Sequence, residues 1–182
     1  MTENKNLSGW KMLGKKTLYN KRFRVVEQDV VLPTGKKTSY DIIEMGDFVG
    51  ILPVTPSREV VVVSEFRPAY GKVITTIPLG NCNEGEKPEE TALRELEEET
   101  GYRAGKMVFL GTFCPFAGRS AVKVHLYLAT DLKKGEKNPD ENEFIQVSKI
   151  PLEKAFQMVE KNESQHFALP LALLLSRSRR LL

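Results

Sequence analysis

Residues 80–102 read GNCNEGEKPEETALRELEEETGY, a glycine-bearing loop that runs into a short acidic helix. Pro88 suits the first helical turn, where its missing N–H costs nothing, and Gly101 suits the C-terminal stop. Between them Ala92, Leu93 and Leu96 recur at helical spacing and predict the buried stripe. Glu95 and Glu99, one turn apart, share a neighbouring face with Glu98 beside them. Like charges at that spacing repel by roughly 0.2–0.5 kcal/mol per pair on an exposed helix. Their crowding beside a loop is favourable where something cationic sits among them. A hard divalent ion fits: magnesium takes a few carboxylate oxygens, keeps several waters and completes its shell with phosphates. A solvated, glutamate-rich surface helix is the alternative that composition alone leaves open.

The spacing decides between the two. Gly80, Glu86, Arg94, Glu95, Leu96, Glu98, Glu99, Gly101 and Tyr102 satisfy Gly-x5-Glu-x7-Arg-Glu-U-x-Glu-Glu-x-Gly-U, where U is bulky and apolar. At average residue usage a chance match is on the order of 10⁻⁹ per starting point. The stretch resembles the signature of the Nudix hydrolases. That resemblance implies cleavage of a nucleoside diphosphate linked to a further group, with Mg²⁺ or Mn²⁺ as cofactor. It also implies an α/β/α sandwich.

The remainder of the chain is compatible with this. Its 182 residues, 41% hydrophobic, are enough for one good core with a small accessory layer. No apolar run approaches the roughly 20 residues of a membrane span, and MTENKNLSGWKMLGKK lacks a signal-peptide core. Cys82 and Cys114 lie far apart without a CxxC, which indicates neither a disulfide framework nor a zinc site. A cytoplasmic protein is expected. The net charge of +3 is mild, and only the closing SRSRRLL concentrates it, so nucleic acid is not an expected partner.

Strands are predicted at Arg22–Leu32, Lys37–Met45, Phe48–Val54 and Glu59–Ser64 before the acidic helix, and at Met107–Phe113, Val122–Ala129 and Phe144–Val147 after it. Helices are predicted at Leu152–Lys161 and His166–Ser176. Strands on both sides of a helix, with more helix at the end, give an α/β class with a mixed sheet between helices. The expected division is residues 1–45 as a small N-terminal antiparallel β subdomain and residues 46–182 as the hydrolase domain.

Further segments resemble the ADP-ribose pyrophosphatase and nucleoside diphosphate sugar hydrolase branch of that family. Ser64-Glu65-Phe66-Arg67 resembles its Q-Y-R segment, Thr76-Ile77-Pro78-Leu79-Gly80 its Glu-Leu-Pro-Ala-Gly, and Asp140–Val147 its acidic loop before the last strand. Departures surround the substrate: Thr76 stands for an acid, Leu79 for alanine, Ala117 for a proline before Gly118, and Val122 for a further acid.

The resemblance implies the following roles. Glu95 and Glu99 are the main metal ligands, Glu98 completes or supports the shell, and the Leu79 carbonyl adds an oxygen beside the close approach at Gly80. Arg94 orients these carboxylates, and Glu86 binds metal or secures the loop. Metal-bound carboxylates are poor bases, so the base is expected from Glu141 or Glu143. Arg67, Gly80, Gly118 and Phe23 are candidate substrate contacts, and Trp10 or Tyr19 are further candidates for stacking on a base. Pairing of two copies through the N-terminal subdomain, a homodimer, is also implied. His125 and His166 are expected to be structural.

The expected reaction is hydrolysis of nucleoside diphosphate sugars such as ADP-ribose or GDP-mannose to a nucleoside monophosphate and a sugar phosphate. Dinucleoside polyphosphates, oxidised nucleotides or capped RNA are alternative substrates. A non-catalytic nucleotide-sugar sensor is the alternative of a different class.

Overall fold

The computed structural model describes residues 8–136, 138, 144–164 and 166–182. Its contacts divide the chain into two units, Met1–Gly46 with Cys114–Lys123, and Asp47–Phe113 with Val124–Leu182. The segment Cys114–Lys123, expected within the larger domain, therefore groups with the N-terminal residues.

In the first unit β1 (Lys11–Asn20), β2 (Arg24–Val31) and β3 (Lys37–Glu44) form an antiparallel meander in the order β1-β2-β3. The β2–β3 turn closes through the Gly35 amide, which donates to the Leu32 carbonyl at 2.8 Å with Gly35 at φ 85. Period-2 alternation puts Val26 and Val30 on one buried face of the middle strand. The Ile43 amide donates to the Arg119 carbonyl at 2.8 Å, which ties Cys114–Lys123 to β3. Strand β1 went unpredicted. Its residues are exposed along its whole length, so no alternation marks it, and its register on β2 shifts twice.

The second unit carries a four-stranded sheet, a three-stranded sheet and a two-stranded pair among its described residues. β4 (Phe48–Pro53), β5 (Glu59–Arg67), β6 (Lys72–Thr76) and β7 (Leu79–Asn81) precede α1 (Pro88–Thr100). β8 (Tyr102–Arg103), β9 (Lys106–Phe113), β10 (Val124–Thr130), β11 (Lys133–Lys134) and β12 (Gln146–Pro151) follow it, and then α2 (Leu152–Glu160) and α3 (Ala168–Ser178). One sheet has the order β7-β4-β10-β9, with β4 and β10 parallel and the rest antiparallel, which makes it mixed. The other has the antiparallel order β12-β5-β6, and β8 and β11 form a separate pair. Among the described residues no helix is long and apolar enough to cross a membrane.

Alternation on β4 and β10 separates two cores. Val49, Ile51, Tyr127 and Ala129 pack with Ala92 and Leu96 of α1. Leu52, Val124, Leu126 and Leu128 turn the other way, toward Val60 and Val62 of β5 and toward Ala155, Leu169 and Leu173 of α2 and α3. Helices thus cover both faces of the mixed sheet, the α/β/α arrangement expected.

Some expectations need correction. Short β6 and β7 are not among the predicted strands, and the last strand lies at Gln146–Pro151 rather than Phe144–Val147, with Phe144 86% exposed. Leu93, assigned to the buried stripe, is 43% exposed. At about 100° per residue it lies on the flank of α1 opposite the carboxylates, and the helix is rolled so that its acidic flank goes inward.

Gly101 closes α1 in the left-handed conformation, φ 71, with its amide on the Glu97 carbonyl. A side chain there costs roughly 1–2 kcal/mol. Gly101→Ala is expected to lower unfolding stability by about that amount, seen as a lower urea midpoint with an unchanged slope.

Candidate active site

The roll of α1 follows from its ends and its apolar contacts. Pro88 opens it, the Glu90 carboxylate accepts the Lys87 amide at 3.2 Å, and Ala92 and Leu96 anchor it on β4 and β10. Measured from Leu96, a turn of 3.6 residues sets Glu99 about 60° away, Glu95 about 100° and Glu98 about 160° on the same side. Their burial follows that order. Glu99 is 4% exposed, while the Glu95 and Glu98 side chains are 12% and 37% exposed.

These three carboxylates form one wall of a cleft of about 470 Å³. Leu79, Gly80, Asn81 and Asn83 supply its floor from β7 and the loop after it, and Glu65 and Arg67 face in from β5. Gly80 is there for a steric reason. A methyl group built on it would sit inside the Glu95 carboxylate, so a side chain there would push Glu95 out of its place beside Arg94. Strand β7 holds Gly80 opposite Val49 and Leu79 opposite Gly50 on β4.

Arg94 gathers the acids. Its Nη1 donates to Glu95 Oε1 and Glu98 Oε2, both at 2.8 Å. Nε and Nη2 donate to the two oxygens of Glu86 at 3.0 and 3.1 Å, and Nη2 reaches the Asn81 carbonyl at 3.3 Å. This is the fork geometry that suits arginine to carboxylates. The Arg94 guanidinium, first among several causes, holds the Glu86 carboxyl at about 2, and Glu86 raises the Arg94 pKa in turn. Glu86 also accepts the Asn83 amide at 3.2 Å, so it joins the loop to the helix.

Among the described residues no group of three carboxylate, imidazole or thiol side chains is gathered closely enough to enclose an ion. Arg94 instead bridges Glu95 and Glu98. The donor chemistry nevertheless fits a hard divalent cation, because the described lining of the cleft offers carboxylate oxygens and no soft ligand. Its described lining holds four carboxylates, Glu65, Glu95, Glu98 and Glu99, against two guanidiniums, Arg67 and Arg94. A phosphate ligand would meet a net negative wall unless a cation came with it.

The remaining candidates fall elsewhere. Phe23 and Gly118 belong to the first unit, where the Phe23 ring lies 5.3 Å from that of Tyr19 and Gly118 faces open space. Glu141 and Glu143 lie outside the described residues. His125 bonds Thr112 at 2.9 Å and faces Asp47 at 3.5 Å, away from the cleft lining. Glu65, Asn81 and Asn83 were not singled out in the sequence. Period 2 alone puts Glu65 on the same strand face as Arg67, and the two pair at 2.9 Å.

The depressed Glu86 carboxyl links the site to stability. A carboxylate whose folded pKa lies below its ordinary 4.5 stabilises fully above that value and loses its contribution as pH falls toward about 2. Glu86→Gln is expected to cost about 1.5–3 kcal/mol at neutral pH, the range for hydrogen bonds to charged groups. In urea titrations at stepped pH, the gap between wild type and variant should hold above pH 4.5 and narrow below it.

Comparison with known proteins identifies the family. The NUDIX domain pattern matches residues 46–170. An ADP-ribose pyrophosphatase of Bacillus subtilis (strain 168) is 39% identical over 138 residues, 75% of each chain. A methanol dehydrogenase activator of Bacillus methanolicus is 36% identical over 135 residues, 73% of each chain. A mouse (Mus musculus) ADP-sugar pyrophosphatase is 32% identical over 136 residues, 65% of this chain and 62% of its own. The fold matches a crystal structure of an ADP compounds hydrolase with a TM-score of 0.83 at 22% identity, covering 95% of both chains. With an intact acidic helix, an arginine that gathers its carboxylates and a glycine shaped to receive Glu95, the chain belongs to the Nudix family and is a Nudix pyrophosphohydrolase.

Proposed function

We propose that the chain hydrolyses the diphosphate bond of nucleoside diphosphate sugars, with ADP-ribose as the first substrate to try, in a Mg²⁺-dependent reaction. The observation that carries this reading is the charge of the cleft: four carboxylates against two guanidiniums in its described lining. A doubly charged diphosphate diester enters such a wall only together with divalent cations. The Bacillus subtilis relative, named an ADP-ribose pyrophosphatase, supports ADP-ribose ahead of GDP-mannose.

Glu95, Glu98 and Glu99, with the Leu79 carbonyl, are the groups that would hold the metal. Mg²⁺ or Mn²⁺ bound there supplies charge neutralisation on the phosphoryl oxygens and lowers the pKa of water. The protein's own residues do the rest. Arg94 and Glu86 fix the carboxylates in place, and Arg67 supplies a fork of donors for a phosphate. A base takes a proton from water as its oxygen bonds to phosphorus and the bridging P–O bond breaks. The products are a nucleoside monophosphate and a sugar phosphate. Glu141 and Glu143 are the proposed sources of that base.

The exposed apolar side chains of edge strand β1, Met12, Leu13 and Leu18 among them, support pairing of two copies through the first unit. Phe23 and Gly118, also in that unit, are proposed to contact the nucleotide.

A panel of ADP-ribose, GDP-mannose, a dinucleoside polyphosphate and capped RNA, assayed with Mg²⁺ and with chelator, tests the reading. Metal-dependent release of AMP and ribose phosphate is expected; binding of ADP-ribose without turnover would favour a sensor. Glu99→Gln is expected to cut turnover by orders of magnitude with an unchanged circular dichroism spectrum, and near-normal activity would sink the metal assignment. Glu141→Gln and Glu143→Gln should differ in turnover at saturating Mg²⁺, the larger loss marking the base.

A further inference from the structure

Arg67 lines two cavities. One is the acidic cleft, and the other is a smaller cavity of about 190 Å³ shared with Tyr70, Ile74, Thr76 and His166. Pockets that enclose whole drug-sized ligands run to about 300–1,000 Å³. The smaller cavity has room for part of a ligand, a single ring, and shares Arg67 with the cleft.

His166 is oriented by groups from two elements. The Ala168 amide, at the start of α3, lies 3.3 Å from His166 Nδ1. An amide N–H only donates, so Nδ1 accepts and the ring proton resides on Nε2. The hydroxyl of Thr76, buried at the end of β6, lies 3.3 Å from the same Nδ1 and shares its one lone pair with the Ala168 amide. Burial, and after it the charge of Arg67, holds the imidazole pKa below its ordinary value, which keeps the ring neutral. Among the described residues the Nε2–H donor is the polar group of the ring with no hydrogen bond of its own.

Tyr70 supplies the apolar side. The turn after β5, in which the Tyr70 and Gly71 amides donate to the Arg67 carbonyl at 2.9 and 3.0 Å, presents the ring 64% exposed at the cavity. An aromatic face and one hydrogen-bond donor, beside an arginine suited to phosphate, match a sugar ring carried on that phosphate. The nucleoside arm of such a substrate has two ring systems and the sugar arm one, which favours the sugar in a cavity of this size.

We propose that Arg67, Tyr70, Thr76 and His166 form the subsite for the sugar on the distal phosphate, with His166 Nε2–H donating to a sugar hydroxyl and Thr76 positioning the ring. This inference rests on the diphosphate-sugar reading above. The test compares ADP-ribose with the methyl ester of ADP on its second phosphate, which keeps the diphosphate and lacks the sugar. His166→Leu should raise KM for ADP-ribose about three- to tenfold, the worth of one neutral hydrogen bond, with kcat little changed and the methyl ester unaffected. His166→Gln, whose amide still donates, should recover part of that loss. Tyr70→Ala, at an exposed site that leaves the core intact, should move KM in the same direction and with the same dependence on the sugar. Equal losses on both compounds, no loss on either, or a loss that followed the base when guanosine replaced adenosine would each overturn the subsite. Failure of the unmodified enzyme to cleave either compound would instead bring down the diphosphate reading itself, and this inference with it.

Discussion

The guanidinium of Arg94 is the charge around which the acidic wall is assembled. Without it Glu86, Glu95 and Glu98 would be brought together with little to offset their repulsion, and the loop after β7 would lose its tie to the helix. One side chain therefore organises the wall while the cleft's described lining stays net negative.

The same constraint explains the roll of α1. A helix chosen for burial alone would turn Leu93 inward and its acids outward. Here Ala92 and Leu96 supply enough apolar contact to dock the helix, and the remaining freedom is used to aim Glu95 and Glu99 at β7. Leaving Leu93 in solvent forgoes part of the roughly 1.5–3 kcal/mol that full burial of such a side chain provides. The helix gives up that stabilisation for the orientation of its carboxylates.

How much of this the sequence shows depends on what kind of force sets each feature. Pro88 and Gly101 mark the ends of α1 because local backbone chemistry decides them. The strands β4, β5 and β10 are legible because burial on both faces leaves apolar runs. Strand β1 and the short β6 and β7 are held by pairing with neighbours rather than by any pattern of their own, so periodicity passes them by. Spacing points to Glu95, Glu98 and Glu99; period 2 sets Glu65 on the strand face of Arg67, but that this face meets α1 shows only in the fold. The exposure of Leu93 is likewise a tertiary choice between two flanks of one helix.

The contact between Gly80 and Glu95 also bears on assembly. Because Gly80 is aligned with Val49 across β4 and β7, a slip of one residue would bring Leu79 or Asn81 under the carboxylate, where a side chain has no room. A chain that pairs these strands out of step cannot close the helix onto the sheet at that point. Strand register and a finished cleft are thus verified by the same contact, and turnover becomes a sensitive gauge of correct folding.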